Sequence, residues 1–401
     1  MLSQQSRPYI DASVPVLREH GVTITRTFYK NMFDEHPELT RIFNMGNQAS
    51  GAQQQSLASA VFAYAANIDN AGALAPVVSR IVHKHASVGI TAAHYPIVGR
   101  HLLGAIQQTL GEAASPDLLA AWEEAYGLLA NALIDAERKL YTQAGIEPGQ
   151  LRAMSVEQVV DQSVNIRSFL LKPVDGQPLA DFKPGQYISV EVNLPDGRRQ
   201  LRQYSLSDRP GLAHYRISVK RETAGTETPA GMVSNWLHDN LTPGSVLHIS
   251  PPFGDFHPDT ESTDPVVLLS AGVGITPMIS ALNHIAHTNP DRSVIFAHAA
   301  RDASHHAHLQ DVALAQAAMP NLEVVNFYET LDASLSNHQG CQAGRMSISS
   351  LPAWNYATTP VYLCGPLPFM QQQWRDLLAQ GVPVEKIHRE VFGPDMLDHL
   401  L

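Results

Sequence analysis

Three groups of residues have types and spacing that can do chemistry. The first centres on His85, in the stretch SRIVHKHASVGITAAHY (79–95). On helical geometry Val78, Ile81, Val82 and His85 fall on one side of the cylinder, and His83 points the opposite way into water. A histidine that interrupts an apolar stripe needs a partner for its ring nitrogens. A backbone carbonyl can serve. So can a metal, for instance a haem iron held by a neutral imidazole. Two more polar groups sit on apolar stripes. Tyr95 heads the stripe Tyr95, Val98, Leu102, Ile106, and Glu137 lies between Leu133 and Leu140 on a stripe that starts at Trp122 and Tyr126. Glu137 is either solvated near a helix end or turned inward onto a hydroxyl such as that of Tyr95. Turned inward, such a group could polarise a metal-bound imidazole through its distal N–H.

The second group is Arg202-Gln203-Tyr204-Ser205, with Tyr187 after the Pro184-Gly185-Gln186 turn and Gly231-Met232-Val233-Ser234 at the start of a helix. Arginine suits a phosphate, tyrosine stacks on a flat ring, and serine can hydrogen-bond a ring nitrogen. Free N–H groups and Ser234 at a helix start would receive a pyrophosphate. The third group is Gly272-Val273-Gly274-Ile275-Thr276-Pro277, a strand-end loop suited to a dinucleotide phosphate, paired with a second loop, Cys364-Gly365-Pro366. Cys364 has no C-x-x-C partner, which favours a positional role over a redox role.

Elements of three kinds must position these groups. A chain of 401 residues exceeds one ordinary domain, and 44% hydrophobic with 16% charged residues suits well-filled cores. Residues 1 to about 140 read as helices, with further stripes at Val22, Tyr29, Met32, Phe33 and at Gln53, Leu57, Val61, Tyr64. The turn-rich GIEPGQL (145–151) marks a boundary. Short strands follow at 186–192, 202–206 and 215–220, which suggests a small antiparallel β-barrel. Strands at 266–270, 294–299, 322–328 and 361–364 alternate with helices, including one over 307–318. That is the pattern of an α/β doubly wound parallel sheet. The fold class is therefore multidomain: all-α, then antiparallel β-barrel, then α/β.

The net charge of −11 argues against nucleic acid or an anionic membrane as main partner. Cys341 and Cys364 can build neither a disulfide framework nor a cysteine-ligated metal site, which fits a reducing cytoplasm. The N-terminus MLSQQSRPYI lacks the pattern of a secretory signal, and the most apolar stretch, 265–275, is too short to span a bilayer. Among 19 histidines, the cluster His305, His306 and His308 reads as surface.

Together these motifs carry a resemblance. IFNMGNQ (42–48), KHASVGI (84–90), HYPIVGRHLL (94–103) and AYGLLANALIDAE (125–137) are similar to the globin segments of bacterial flavohaemoglobins, and the later motifs to the ferredoxin–NADP reductase superfamily. The resemblance covers essentially the whole chain. It implies a globin haem domain at 1–140, a linker at 141–151, an FAD-binding β-barrel at 152–258 and an NAD(P)-binding α/β domain at 259–401. It makes His85 the proximal iron ligand with Tyr95 and Glu137 around it, Tyr29 the distal tyrosine, Gln53 and Leu57 distal-helix residues, and Phe43 the aromatic on the haem face. Lys84 matches a basic residue on the flavin side. In the tail, Phe392 would lie against the isoalloxazine and Glu390 would face the haem side. The implied cofactors are haem b, FAD and NADH or NADPH; Arg301 is a candidate for a 2′-phosphate, blurred by Asp302. The implied activity is nitric oxide dioxygenation, with O2 and nitric oxide as small-molecule partners. Oxygen binding or sensing, and flavin-centred reduction of ferric, quinone or hydroperoxide acceptors, stay open beside it. A cytoplasmic monomer is expected, without stable membrane insertion. Whether a lipid enters the distal pocket is open. The loop 224–230 looks longer than in the tightest relatives, and the last residues, DMLDHLL, match nothing assignable.

Overall fold

The computed structural model describes residues 1–225, 229–332 and 340–393. Pro394, the DMLDHLL tail and residues 226–228 of the 224–230 loop lie outside the described residues. The chain forms two compact units. One holds residues 1–151, 191–202 and Gly393; the other holds 152–190 and 203–392.

The first unit is helical over its first 144 residues: α1 (Arg7–Glu35), α2 (Met45–Ala49), α3 (Ala52–Ala66), α4 (Ala71–Val88), α5 (His94–Leu110) and α6 (Pro116–Ala144). Local chemistry sets the ends. The Asn70 side chain accepts from Ala73 N at 3.2 Å at the start of α4. Ser115 caps α6 through Leu118 N at 3.2 Å, with Pro116 in first position. Gly89 closes α4 with φ +80°, and Ile90 N reaches back to His85 O at 3.0 Å. A Cβ on Gly89 would stand 2.5 Å from Gly149 Cα, so glycine there serves both the turn and the return of the GIEPGQL segment against the helix end. The core gathers Ile10, Leu17, Ile24, Phe28, Tyr29 and Met32 of α1 with Leu102 and Ile106 of α5 and Trp122 of α6. On α3 the fully buried face is Gln54, Ala58, Phe62, Ala63 and Ala65; the expected stripe Gln53, Leu57, Val61, Tyr64 is only half-covered by protein.

Along the chain an antiparallel sheet follows: β1 (Arg152–Asp161), β2 (Ile166–Pro173), β3 (Tyr187–Asn193), β4 (Arg199–Ser205), β5 (Tyr215–Lys220), α7 (Met232–Asn240) and β6 (Val246–Ile249). The strand order is β4-β3-β6-β1-β2-β5. The α/β part follows: β7 (Val266–Ala271), α8 (Ile275–Thr288), β8 (Val294–Ala300), α9 (Leu309–Ala318), β9 (Leu322–Tyr328), β10 (Cys341–Ala343), β11 (Val361–Cys364), α10 (Leu367–Ala379) and β12 (Ile387–Glu390). Its strands pair in parallel in the order β10-β9-β8-β7-β11-β12. The order reverses beside β7, which puts the switch point between the ends of β7 and β11. Strands β1, β2, β6, β10 and β12 go beyond those predicted. β1 and β2 lack a clean alternation because a bulge at Val156/Gln158 shifts their register.

One expectation is reversed here. His306 and His308 are 1% and 0% exposed, not surface residues. Buried partners meet one ring nitrogen of His306 and both of His308. The Tyr328 hydroxyl lies 2.7 Å from His306 Nδ1, and His308 bridges Asp311 Oδ2 at 2.9 Å and Ser218 Oγ at 3.0 Å. His308 belongs to a polar seam between barrel and α/β part. There Asn283 donates to Asp208 Oδ1 at 3.1 Å and Asp311 Oδ1 at 2.8 Å, Arg216 pairs with Asp311 at 2.8 Å, and Ser280 donates to the Asp208 carbonyl at 2.7 Å. Among the described residues, no helix is long and apolar enough to cross a membrane.

Candidate functional site

His85 sits in the last turn of α4, where the Gly89 cap fixes the helix end. Its Nδ1 lies 2.7 Å from Glu137 Oε1 and 3.2 Å from the Tyr95 hydroxyl. Tyr95 also donates to the same Glu137 oxygen. Glu137 is 2% exposed, so the inward alternative is the one the fold realises. Because a carboxylate only accepts, Nδ1 carries the proton and the Nε2 lone pair is free for a metal. Burial and the Glu137 carboxylate push the Tyr95 phenol far above its ordinary value, which keeps it a donor. Two tyrosines that the sequence reading left without a role support the cluster. Tyr126 donates to the Tyr95 carbonyl at 2.7 Å, and Tyr141 to the Ile90 carbonyl at 2.8 Å.

Tyr29 is 5% exposed on α1, edge-on to Phe43 at 5.8 Å and stacked on Phe33 at 5.7 Å. Burial raises its pKa, the neighbouring Gln53 and Gln48 side chains pull it down, and it stays a neutral phenol. Gln48 is a second residue of this side that sequence reasoning missed, although it closes the IFNMGNQ segment; its Nε2 is buried with no hydrogen-bond partner. Phe43, Leu57, Val61 and Val98 are half-buried against the same apolar core. A free axial nitrogen, an orphaned amide and a partly covered apolar lining fit a flat apolar macrocycle with a polar ligand on its iron. Lys84 Nζ donates to the Gly393 carbonyl at 2.7 Å within this unit.

The second group lies on β4 and α7. Arg202 Nη1 donates to Gln200 Oε1 at 3.1 Å and to the Leu201 carbonyl at 2.7 Å. Gln203 is exposed, Tyr204 half-buried and Ser205 buried. Tyr187 is buried on β3. α7 starts after Gly231 with no side-chain cap, the kind of helix start that suits an anion. The Ser234 hydroxyl is committed to the turn itself: it donates to the Gly231 carbonyl at 3.1 Å and accepts from Glu222 N at 3.2 Å. Val233 is buried, while Met232 and Phe392 are exposed at 40% and 44%, apolar groups able to lie on a flat ring. The residues fit a flavin dinucleotide.

The third group surrounds a cavity of about 520 Å³. Gly272, Val273, Pro366, Phe369, Lys220 and Arg301 line it. Gly274, Ile275, Thr276, Pro277 and Cys364 are buried and Gly365 is half-buried, and none of the six lines it. A Cβ on Gly274 would stand 2.3 Å from the Cys364 carbonyl oxygen, so the two switch-point loops touch only because residue 274 has no side chain. Burial and Glu390 raise the Cys364 thiol well above its ordinary value, so it is no thiolate nucleophile. Glu390, 6% exposed, pairs in register with Cys364 across β11 and β12. A narrow cradle between two strand ends fits a nicotinamide dinucleotide.

Known proteins agree with this division. Residues 26–133 match the globin family, 153–257 the oxidoreductase FAD-binding domain and 268–375 the oxidoreductase NAD-binding domain. A flavohemoprotein of Bordetella parapertussis is 47% identical over 98% of this chain and 99% of its own. The chain belongs to the flavohemoprotein family.

A crystal structure of a flavohemoglobin from Malassezia yamatoensis, with bound FAD and heme, superposes with TM-score 0.85 at 30% identity over 98% of this chain and 100% of its own. The FAD/NAD-binding domain of a nitric oxide dioxygenase from Vibrio cholerae matches 61% of this chain and 99% of its own, at 38% identity and TM-score 0.56. As a flavohemoprotein the chain is an oxidoreductase whose cofactors are haem, FAD and a nicotinamide dinucleotide.

Proposed function

We propose that this flavohemoprotein is a nitric oxide dioxygenase of the cytoplasm, running 2 NO + 2 O2 + NADH → 2 NO3⁻ + NAD⁺ + H⁺, with NADPH as the other candidate donor. When bound, dinucleotide, flavin and haem supply electron delivery and oxygen binding. The chain's residues tune that chemistry. Glu137 and Tyr95 hold the His85 Nδ1 proton, which would make the imidazole a stronger donor to an iron held on Nε2. Tyr29, kept protonated by burial, could donate a hydrogen bond to a ligand that an iron held here would bind. Leu57 and Phe43 supply an apolar wall that admits small uncharged gases such as O2 and nitric oxide. Gln53 and Gln48 lie beside the phenol.

The observation that carries this reading is the His85–Glu137–Tyr95 cluster. A globin that only stores or senses oxygen gains nothing from a carboxylate behind its proximal histidine. The similar Vibrio cholerae protein is a nitric oxide dioxygenase, which supports the same reading. The test is stopped-flow mixing of NADH-reduced holoenzyme and oxygen with nitric oxide. One nitrate per nitric oxide within milliseconds supports the reading. Nitric oxide loss without nitrate sinks it in favour of oxygen binding. If His85→Ala retains physiological turnover, the activity is flavin-centred.

A further inference from the structure

The first unit carries a second convergence of metal-ligating side chains. α1 ends at Glu35, the next residue His36 leaves the helix with φ −127° and ψ 66°, and His101 comes from the middle of α5. One potential ligand atom from each of Glu35, His36 and His101 lies within 4.8 Å of the others. The imidazole rings stand edge to face, with centroids 5.7 Å apart and planes at 86°.

The hydrogen bonds fix which nitrogens converge. Arg100 Nη2 is 2.7 Å from Glu35 Oε2, 3.3 Å from His36 Nε2 and 3.3 Å from His101 Nε2. A guanidinium has no lone pair to offer, so both Nε2 atoms must accept, and each ring carries its proton on Nδ1. His36 Nδ1 is in turn 3.1 Å from Glu38 Oε1, a carboxylate that fixes this tautomer. Two neutral imidazole lone pairs and a carboxylate oxygen thus aim at one point, with a carboxylate behind one imidazole, and a positive nitrogen already occupies it. That is the donor set and outer support of a protein metal site.

We propose that Glu35, His36 and His101 bind a divalent transition-metal cation such as Zn²⁺, and that Arg100 is the built-in cation it displaces. Two imidazoles and one carboxylate suit a borderline ion with water in its remaining positions. The Arg100 side chain is 61% exposed and can swing into water, whereas His101, at 5%, holds the site in place. The ion would tie the end of α1, which carries Tyr29, to α5, which carries Tyr95. None of its ligands takes part in the haem, flavin or dinucleotide groups described above.

The experiment is calorimetric titration of chelator-treated holoenzyme with Zn²⁺, with metal counting after equilibrium dialysis. One ion per chain is expected, lost in both His36→Ala and His101→Ala. Arg100→Ala should bind about tenfold more tightly, because a competing positive charge leaves the site. Glu38→Gln should bind roughly tenfold more weakly. Should His101→Ala fail to fold, His36→Ala, at the helix end, decides. Unchanged stoichiometry and affinity in His36→Ala overturn the site, and so does an Arg100→Ala protein that binds no more tightly than the parent.

Discussion

Glu137 Oε1 lies 2.7 Å from His85 Nδ1, from a position 2% exposed on a different helix. That distance joins α4 to α6 and turns a partly exposed histidine into a polarised axial donor. A buried carboxylate is costly without partners. Here the Tyr95 hydroxyl and the imidazole N–H both serve it.

Glu137→Gln keeps the shape and removes the charge. The iron–histidine stretching frequency of the ferrous holoprotein should fall. Turnover of nitric oxide should drop by about 10- to 100-fold, the usual cost of losing an outer-shell partner. An unmoved frequency would show that the carboxylate does not tune the ligand.

Tyr29→Phe removes one donor hydroxyl while the ring keeps its contacts with Phe33 and Phe43. A hydrogen bond to a charged group is worth about 1.5–3 kcal/mol, so oxygen should leave the reduced protein roughly 10- to 100-fold faster. Flash photolysis reads this directly. An equal off-rate means that the phenol does not reach the ligand.

Gly274→Ala places a methyl 2.3 Å from the Cys364 carbonyl oxygen, which is backbone and cannot rotate away. Overpacking of this kind costs about 1–3 kcal/mol of stability. The larger effect should fall on flavin reduction by NADH, slowed by as much as roughly a hundredfold as the switch-point loops part. Anaerobic stopped-flow bleaching of the flavin measures it, and a parental rate would refute the close-approach argument.

His306 gives the second unit an acid-sensitive point. Burial lowers its pKa from 6.5 to about 4, and the nearby His308 adds to the effect. The unfolded chain therefore takes up a proton at about pH 6.5, where the folded chain does not. Stability is complete above that pH and is lost as pH falls towards 4, by up to about 3 kcal/mol. Buried His298, its ring 4.4 Å from that of His306, acts in the same direction. Thermal melting of the holoenzyme should show a falling midpoint between pH 6.5 and 4.5, shallower in His306→Leu. The same slope in the variant would assign the acid sensitivity elsewhere.

The order of the chain already determined much of this protein. Period-3.6 stripes marked the helical third, the GIEPGQL turn marked its end, and two glycine-containing loops at strand ends marked a doubly wound sheet. These signals are local, and local geometry enforces them: α4 ends where Gly89 adopts φ +80°, and the switch-point loops meet where Gly274 has no Cβ. What tertiary structure alone decided is which polar groups face one another. Sequence spacing left Glu137 between solvent and core, and only the crossing of α4, α5 and α6 set it against His85 and Tyr95. The same limit misplaced His306 and His308, whose polar neighbours in sequence suggested water while Tyr328, Ser218 and Asp311 waited inside. It also hid Gln48 beside Tyr29, and the meeting of Glu35 and His36 with His101 across two helices. A side chain's type and periodicity state what it can do; its partner is fixed by packing between elements far apart in the chain, and no local pattern encodes that distance.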